Sequence, residues 1–151
     1  MDHSEKAKQL FLSGHNCAQA VFLAFNDLMG LDEKTMLTLA ASFGGGMGKL
    51  REVCGAVSGM FMAAGVLYAS TDPTDQQEKA AHYARIQELA AAFKEKNGSL
   101  ICRDLLGLTA PDGSVPALRT EGYYKKRPCA ELVADAAAIL DAYIAEHPPK
   151  R

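Results

Sequence analysis

No tryptophan occurs in the 151 residues, and aromatic side chains make up only 7% of the chain. Runs of β-branched residues are scarce as well, so little is present of the material that packs pleated sheets, and helices are favoured. Neither sign of charge dominates: 16 Lys and Arg stand against 18 Asp and Glu, for a formal net charge of -2. Without a bulk basic field to hold a phosphate backbone or an anionic membrane surface, nucleic acid is not an expected partner. The four cysteines, Cys17, Cys54, Cys102 and Cys129, form no CxxC pair. The local signatures of zinc ribbons, thioredoxin-like sites and c-type haem attachment are therefore missing. The first residues include Asp2, Glu5, Lys6 and Lys8 and lack the apolar run of a secretory signal, which makes the cytoplasm the expected compartment. In a reducing compartment, thiols serve more often as reactive groups or metal ligands than as structural cross-links.

What is present suffices for one core. The chain is 48% hydrophobic and 23% charged, ordinary values for a globular protein, and its length fits a single domain over 1–151 with a frayed tail from about 147. Helical periodicity marks segments 5–12, 16–28, 32–43, 74–96, 99–106 and 128–146, with stops at Gly14, Gly30, Gly98 and Gly107. Asn16, Asp32 and Ser99 are suited to cap the starts, and Pro128 suits a first turn. The segment 53–71 carries no charge. It approaches the length of a membrane span, but its glycines and hydroxyls, and the amphipathic chain after it, suit a buried central helix better. The stretch 108–127, with Pro111, Asp112, Gly113, Pro116, Tyr123 and Tyr124, reads as a long surface loop of the kind that forms lids. The expected fold is all-α: a single-domain bundle of about six to seven helices around the central apolar one.

On this map every cysteine lies near a helix N-terminus. There, exposed N–H groups and the positive end of the macrodipole favour the thiolate, the form that attacks disulfides and peroxides or ligates metals. Each could alternatively be a small core hydrophobe. Cys54 is expected to be the most reactive, with its pKa below the free value of about 8.5, because a glycine run and Lys49 and Arg51 precede it and Gly55 follows. Burial acts in the opposite direction. The glycines Gly44, Gly45, Gly46 and Gly48 invite a phosphate-loop reading. It fails on counting: a Walker loop needs Gly where Phe43 stands and Ser or Thr where Leu50 stands, which leaves an anion nest or a close helix connection. Gly55, Gly59 and Ala63 form a small-residue ridge. His15, two residues before Cys17, is a candidate base.

These residues also occur as a recognisable set. SGHNCAQAVFLAF at 13–25, FGGGMG at 43–48, VCGAVSG at 53–59, SLICRDLLG at 99–107 and the last cysteine, Cys129, closely resemble the redox-active family known by its CGAxxG motif, C_GCAxxG_C_C. Here the motif is Cys54-Gly55-Ala56-Val57-Ser58-Gly59, and the likeness runs over about 8–145. The resemblance implies a redox role inferred from four cysteines, Cys17, Cys54, Cys102 and Cys129, and a link to transport, since members often lie near transport genes. It names no substrate or redox partner. A cysteine-rich segment of certain multihaem cytochromes is also similar, which keeps an iron–sulfur cluster in view. The favoured function is thiol–disulfide exchange or electron transfer that needs no cofactor, with Cys54 as thiolate and another cysteine resolving it. A different class of function has the same four cysteines ligating a [2Fe–2S] cluster or zinc, and a third is a non-catalytic helical protein.

Overall fold

Asp2 starts the first helix by accepting the Glu5 N–H at 2.7 Å, and helix α1 (His3–Leu12) buries Ala7 and Phe11. The computed structural model describes residues 2–150, apart from the side chains of Lys125 and Lys126. Asn16 and Gln19 then form a reciprocal capping box for α2 (Cys17–Ala24), and six of that helix's eight residues are buried. The expected helix over 16–28 is divided at Phe25, whose φ of -94° and ψ of 11° leave the helical region. Phe25 is fully buried and stacks on His3 at 4.3 Å, so the chain turns there to seal one end of the core before α3 (Asn26–Met29). Gly30, in the left-handed region, ends α3 as expected, and Asp32 caps α4 (Glu33–Ala40).

The predicted run to residue 43 is interrupted too. A 3-10 turn (Ala41–Phe43) leads into a single helical turn, α5 (Gly44–Met47), in which Gly45 and Gly46 are left-handed. Left-handed backbone continues at Met47, Gly48, Lys49 and Arg51, with φ of 68°, 60°, 64° and 61°. A non-glycine residue there loses about 1–2 kcal/mol to contact between Cβ and carbonyl. Met47 is exposed and makes no compensating contact in the core. Met47→Gly is therefore expected to stabilise the protein by about 1 kcal/mol in a urea titration, less what the more flexible unfolded chain returns.

The uncharged segment forms α6 (Gly55–Tyr68). Its first six residues are buried, whereas Phe61, Met62, Gly65 and Val66 are only half-buried, so the close packing on all sides expected of it is confined to its first half. Gly59 permits that packing, since a Cβ there would sit 2.6 Å from the Ala18 carbonyl oxygen on α2. The long helix α7 (Gln76–Asn97) buries only Leu89 and Phe93 and ends at left-handed Gly98. A short helix, α8 (Cys102–Leu106), follows, with Ile101 at its N-cap. Ser99 stands two residues farther back, where its hydroxyl accepts the Ile101 N–H and donates to Asp104. The last helix, α10 (Cys129–Glu146), packs on α1, α2, α6 and α7. Lys8–Glu131 and Lys96–Asp135 ion pairs, at 2.8 and 2.9 Å, tie it to α1 and α7 at the surface. Among the described residues the only extended pairing is one antiparallel bridge, Val53 with Ile101, and no helix is long and apolar enough to cross a membrane.

The surface-loop reading of 108–127 needs correction. Residues 108–120 are irregular, but Thr120 accepts the Tyr123 N–H and caps a further helix, α9 (Glu121–Lys126). Tyr123 and Tyr124 thus sit on a helix, with their rings edge to face at 5.3 Å and Tyr124 against Phe11.

Candidate functional site: four thiols in one cationic cavity

Each cysteine stands at a helix start: Cys17, Cys102 and Cys129 are the first residues of α2, α8 and α10, and Cys54 is the N-cap of α6. All four line one half-enclosed cavity of about 350 Å³. They converge because side chains that would hold the backbones apart are missing. A Cβ on Gly55 would lie 3.0 Å from the Cys17 Cβ, and one on Gly46 would lie 2.6 Å from the Cys102 Cβ and 2.8 Å from the Arg51 Cα. Gly44 does the same for Asn16, whose side chain would be 2.5 Å from such a Cβ. Cys54 and Cys102 are registered by the short bridge: the Cys54 N–H donates to the Leu100 carbonyl at 2.8 Å and the Cys102 N–H to the Glu52 carbonyl at 2.6 Å. The glycine run thus has a packing role at this site.

The thiols are chemically unequal. Cys129 has its pKa lowered to about 7, first because the Cys17 thiol donates a hydrogen bond to it, and then through Arg127, the Tyr123 hydroxyl and Arg51, against the opposing effect of burial. Cys17 is pushed up strongly by donating that bond and by burial, so it holds its proton. Cys54 moves opposite to expectation, to about 12. Its sulfur does face the Ala56 and Val57 N–H groups, but burial in the apolar core outweighs them. Cys102 is also raised by burial, although the Arg51 Nη1 donates to its sulfur at 3.6 Å. Tyr123 is raised to about 12 by burial and by the Cys129 and Cys17 sulfurs, which keeps its hydroxyl a donor.

Around the sulfurs stand Lys49, Arg51, Arg119 and Arg127, and among the described residues no Asp or Glu lines the cavity. Arg51 is clamped by Asp112, with Nε to Oδ1 at 3.0 Å and Nη2 to Oδ2 at 2.7 Å, while the Lys49 Nζ donates to the Asp112 carbonyl at 2.8 Å. These contacts hold the Asp112 carboxyl well below the usual carboxylate range. Arg119 lies over the Phe11 ring at 4.2 Å and donates to the Phe11 and His15 carbonyls. His15 therefore contributes its carbonyl to the site. Segment 108–120 is fastened at both ends by these contacts, and its Ser114, Pro116 and Ala117 form part of the cavity wall.

A [2Fe–2S] cluster or zinc was the other reading of the set. Four thiolates would each have to reach about 2.3 Å from a zinc ion. Among the described residues no group of three or more His, Cys, Asp or Glu side chains has the arrangement of a metal site.

The spacing and placement of the cysteines agree with a family model described as "Putative redox-active protein (C_GCAxxG_C_C)", which matches residues 15–143. The chain belongs to this C_GCAxxG_C_C family. The matched range takes in all four cysteines and both glycine motifs. An "Uncharacterized protein" of Archaeoglobus fulgidus is similar as well, 28% identical over 151 aligned positions that cover 92% of this chain and 93% of the relative. No solved structure matches.

Proposed function

We propose that this C_GCAxxG_C_C protein performs thiol–disulfide exchange with Cys129 as the attacking thiolate and Cys17 as the resolving thiol. The observation that carries this reading is the placement of the Cys17 and Cys129 thiols, at the starts of α2 and α10, in one cavity beside Arg127 and Tyr123, where interaction between the two lowers Cys129 and raises Cys17. It puts an acidified sulfur next to a protonated one, the division of labour that exchange requires. Cys129 attacks one sulfur of a disulfide and expels the other as a thiolate. Cys17 gives up its proton and attacks the Cys129 sulfur, releasing the second thiol and leaving a Cys17–Cys129 disulfide. Two electrons pass from the protein to the substrate. Cys54 and Cys102 flank this pair as thiols with raised pKa values, suited to take the disulfide onward by further exchange.

The test is the pH profile of labelling. In the reduced protein, iodoacetamide is expected to modify Cys129 first, with a rate midpoint near pH 7, and Cys54 last, as located by peptide mass spectrometry. If Cys129 labels only after unfolding, the reading fails. The same shift has a signed effect on stability. Between the folded value of about 7 and the free thiol value, the unfolded chain binds a proton that the folded Cys129 does not. Cys129 therefore contributes stability that is present above the ordinary value and is lost as pH falls through about 7.

A further inference from the structure

The cavity is positive in a chain whose net charge is -2. Lys49, Arg51, Arg119 and Arg127 line it, and Asp112 pairs with Lys49 and Arg51. Arg119 meets backbone carbonyls and the Phe11 ring, and Arg127 lies 5.7 Å from the Tyr123 ring centroid, contacts that orient a guanidinium without cancelling its charge. Its volume of about 350 Å³ falls at the lower end of small-molecule sites, roughly 300–1,000 Å³. Segment 108–120 contributes to the wall, and Cys129, Cys102 and Cys54 are only 9%, 7% and 4% exposed. Burial of these sulfurs favours a disulfide small enough to enter the cavity over one carried on a folded protein.

Resting on the exchange reading above, we propose that the substrate is a small organic disulfide bearing carboxylates, whose charge is held by Lys49, Arg51, Arg119 and Arg127 while Cys129 attacks its sulfur. The carboxylates exchange places with, or add to, Asp112 at the Arg51 guanidinium, where a planar anion can accept two hydrogen bonds. The electron balance is that already given: the bound disulfide is reduced to two thiols and the Cys17–Cys129 pair is oxidised. This charge preference opposes intrinsic reactivity. A thiolate in water is repelled by an anionic disulfide and attracted by a cationic one, so a protein that prefers the anion must supply the field itself.

Three disulfides of similar size separate the possibilities: dithiodiglycolate, an anion; hydroxyethyl disulfide, which is neutral; and cystamine, a cation. The full-length reduced protein is mixed with each near neutral pH, and formation of the Cys17–Cys129 disulfide is followed by acid quench and mass spectrometry. Dithiodiglycolate is expected to react at least about tenfold faster than hydroxyethyl disulfide, with cystamine slowest, and the spread is expected to narrow as salt screens the field. Lys49→Gln lowers the ratio of the anion's rate to that of the neutral compound. If the neutral disulfide oxidises the pair and the anion is no faster, the substrate class is wrong while the exchange reading stands. If none of the three oxidises Cys17 and Cys129, both are overturned.

Discussion

Cys17→Ala is expected to stop the exchange half-way: reduced protein mixed with a disulfide accumulates a stable mixed disulfide on Cys129, and release of the second thiol slows at least about 100-fold. The argument is local. Cys17 is the group that donates to Cys129, and Gly55 lets its Cβ approach the α6 start. Loss of the thiol removes both the resolving sulfur and the largest cause of Cys129's acidity, so the labelling midpoint at Cys129 rises from near 7 toward the ordinary thiol value. Cys17→Ser separates the two effects, because its hydroxyl can still donate a hydrogen bond but cannot resolve a disulfide. Rapid release of the second thiol from Cys17→Ala would assign resolution to Cys54 or Cys102.

The second large effect is on the fold. Gly46→Ala is expected to destabilise the protein by about 3–4 kcal/mol, the sum of a left-handed alanine and an overpacked contact. Its new Cβ would lie 2.6 Å from the Cys102 Cβ, 2.8 Å from the Arg51 Cα and 2.8 Å from the Glu52 nitrogen, and two of these are backbone atoms that cannot swing aside. Gly30→Ala provides the comparison. Gly30 has nearly the same φ, 67° against 73°, yet no atom lies within 4 Å of its would-be Cβ, so only the conformational cost of about 1 kcal/mol applies. Urea unfolding of the two variants measures the difference, and equal losses would show that the close approach to Cys102 carries no energy.

Much of this architecture was legible in the sequence because it is local. Asn16 with Gln19, Asp32, and the glycines at 30, 98 and 107 are capping signals that act over a few residues, and each works at its expected helix end. The position of Cys17 follows from the Asn16 cap, whereas the starts at Cys54, Cys102 and Cys129 have no side-chain capping hydrogen bond. The acidity ranking was not legible, because it depends on burial: Cys54 has the glycines, the cations nearby and the N–H donors, but its surroundings are apolar. Tyr123 and Arg127, which help to lower the Cys129 pKa, lay within the stretch read as loop. Thr120 followed by Glu121 is a weak capping signal that marks α9 in retrospect, obscured by Pro111, Gly113 and Pro116 just before it. The Arg51–Asp112 clamp joins residues 61 positions apart, and no local pattern announces it. The break at Phe25 is likewise tertiary, a response to the stacking partner supplied by His3.

The sulfurs of Cys17 and Cys129 belong to α2 and α10, near opposite ends of the chain, and line one cavity. A bond between them would tie the polypeptide into a ring of about three-quarters of its length. In the chain-entropy view such a ring restricts the denatured ensemble, the more so the larger it is, while a fold that already holds the two sulfurs together loses little freedom. Redox state and resistance to unfolding are then coupled variables. On the exchange reading, oxidation of the pair also staples the fold, and by the same linkage the folded state holds the pair more reducing than two unconnected thiols would be.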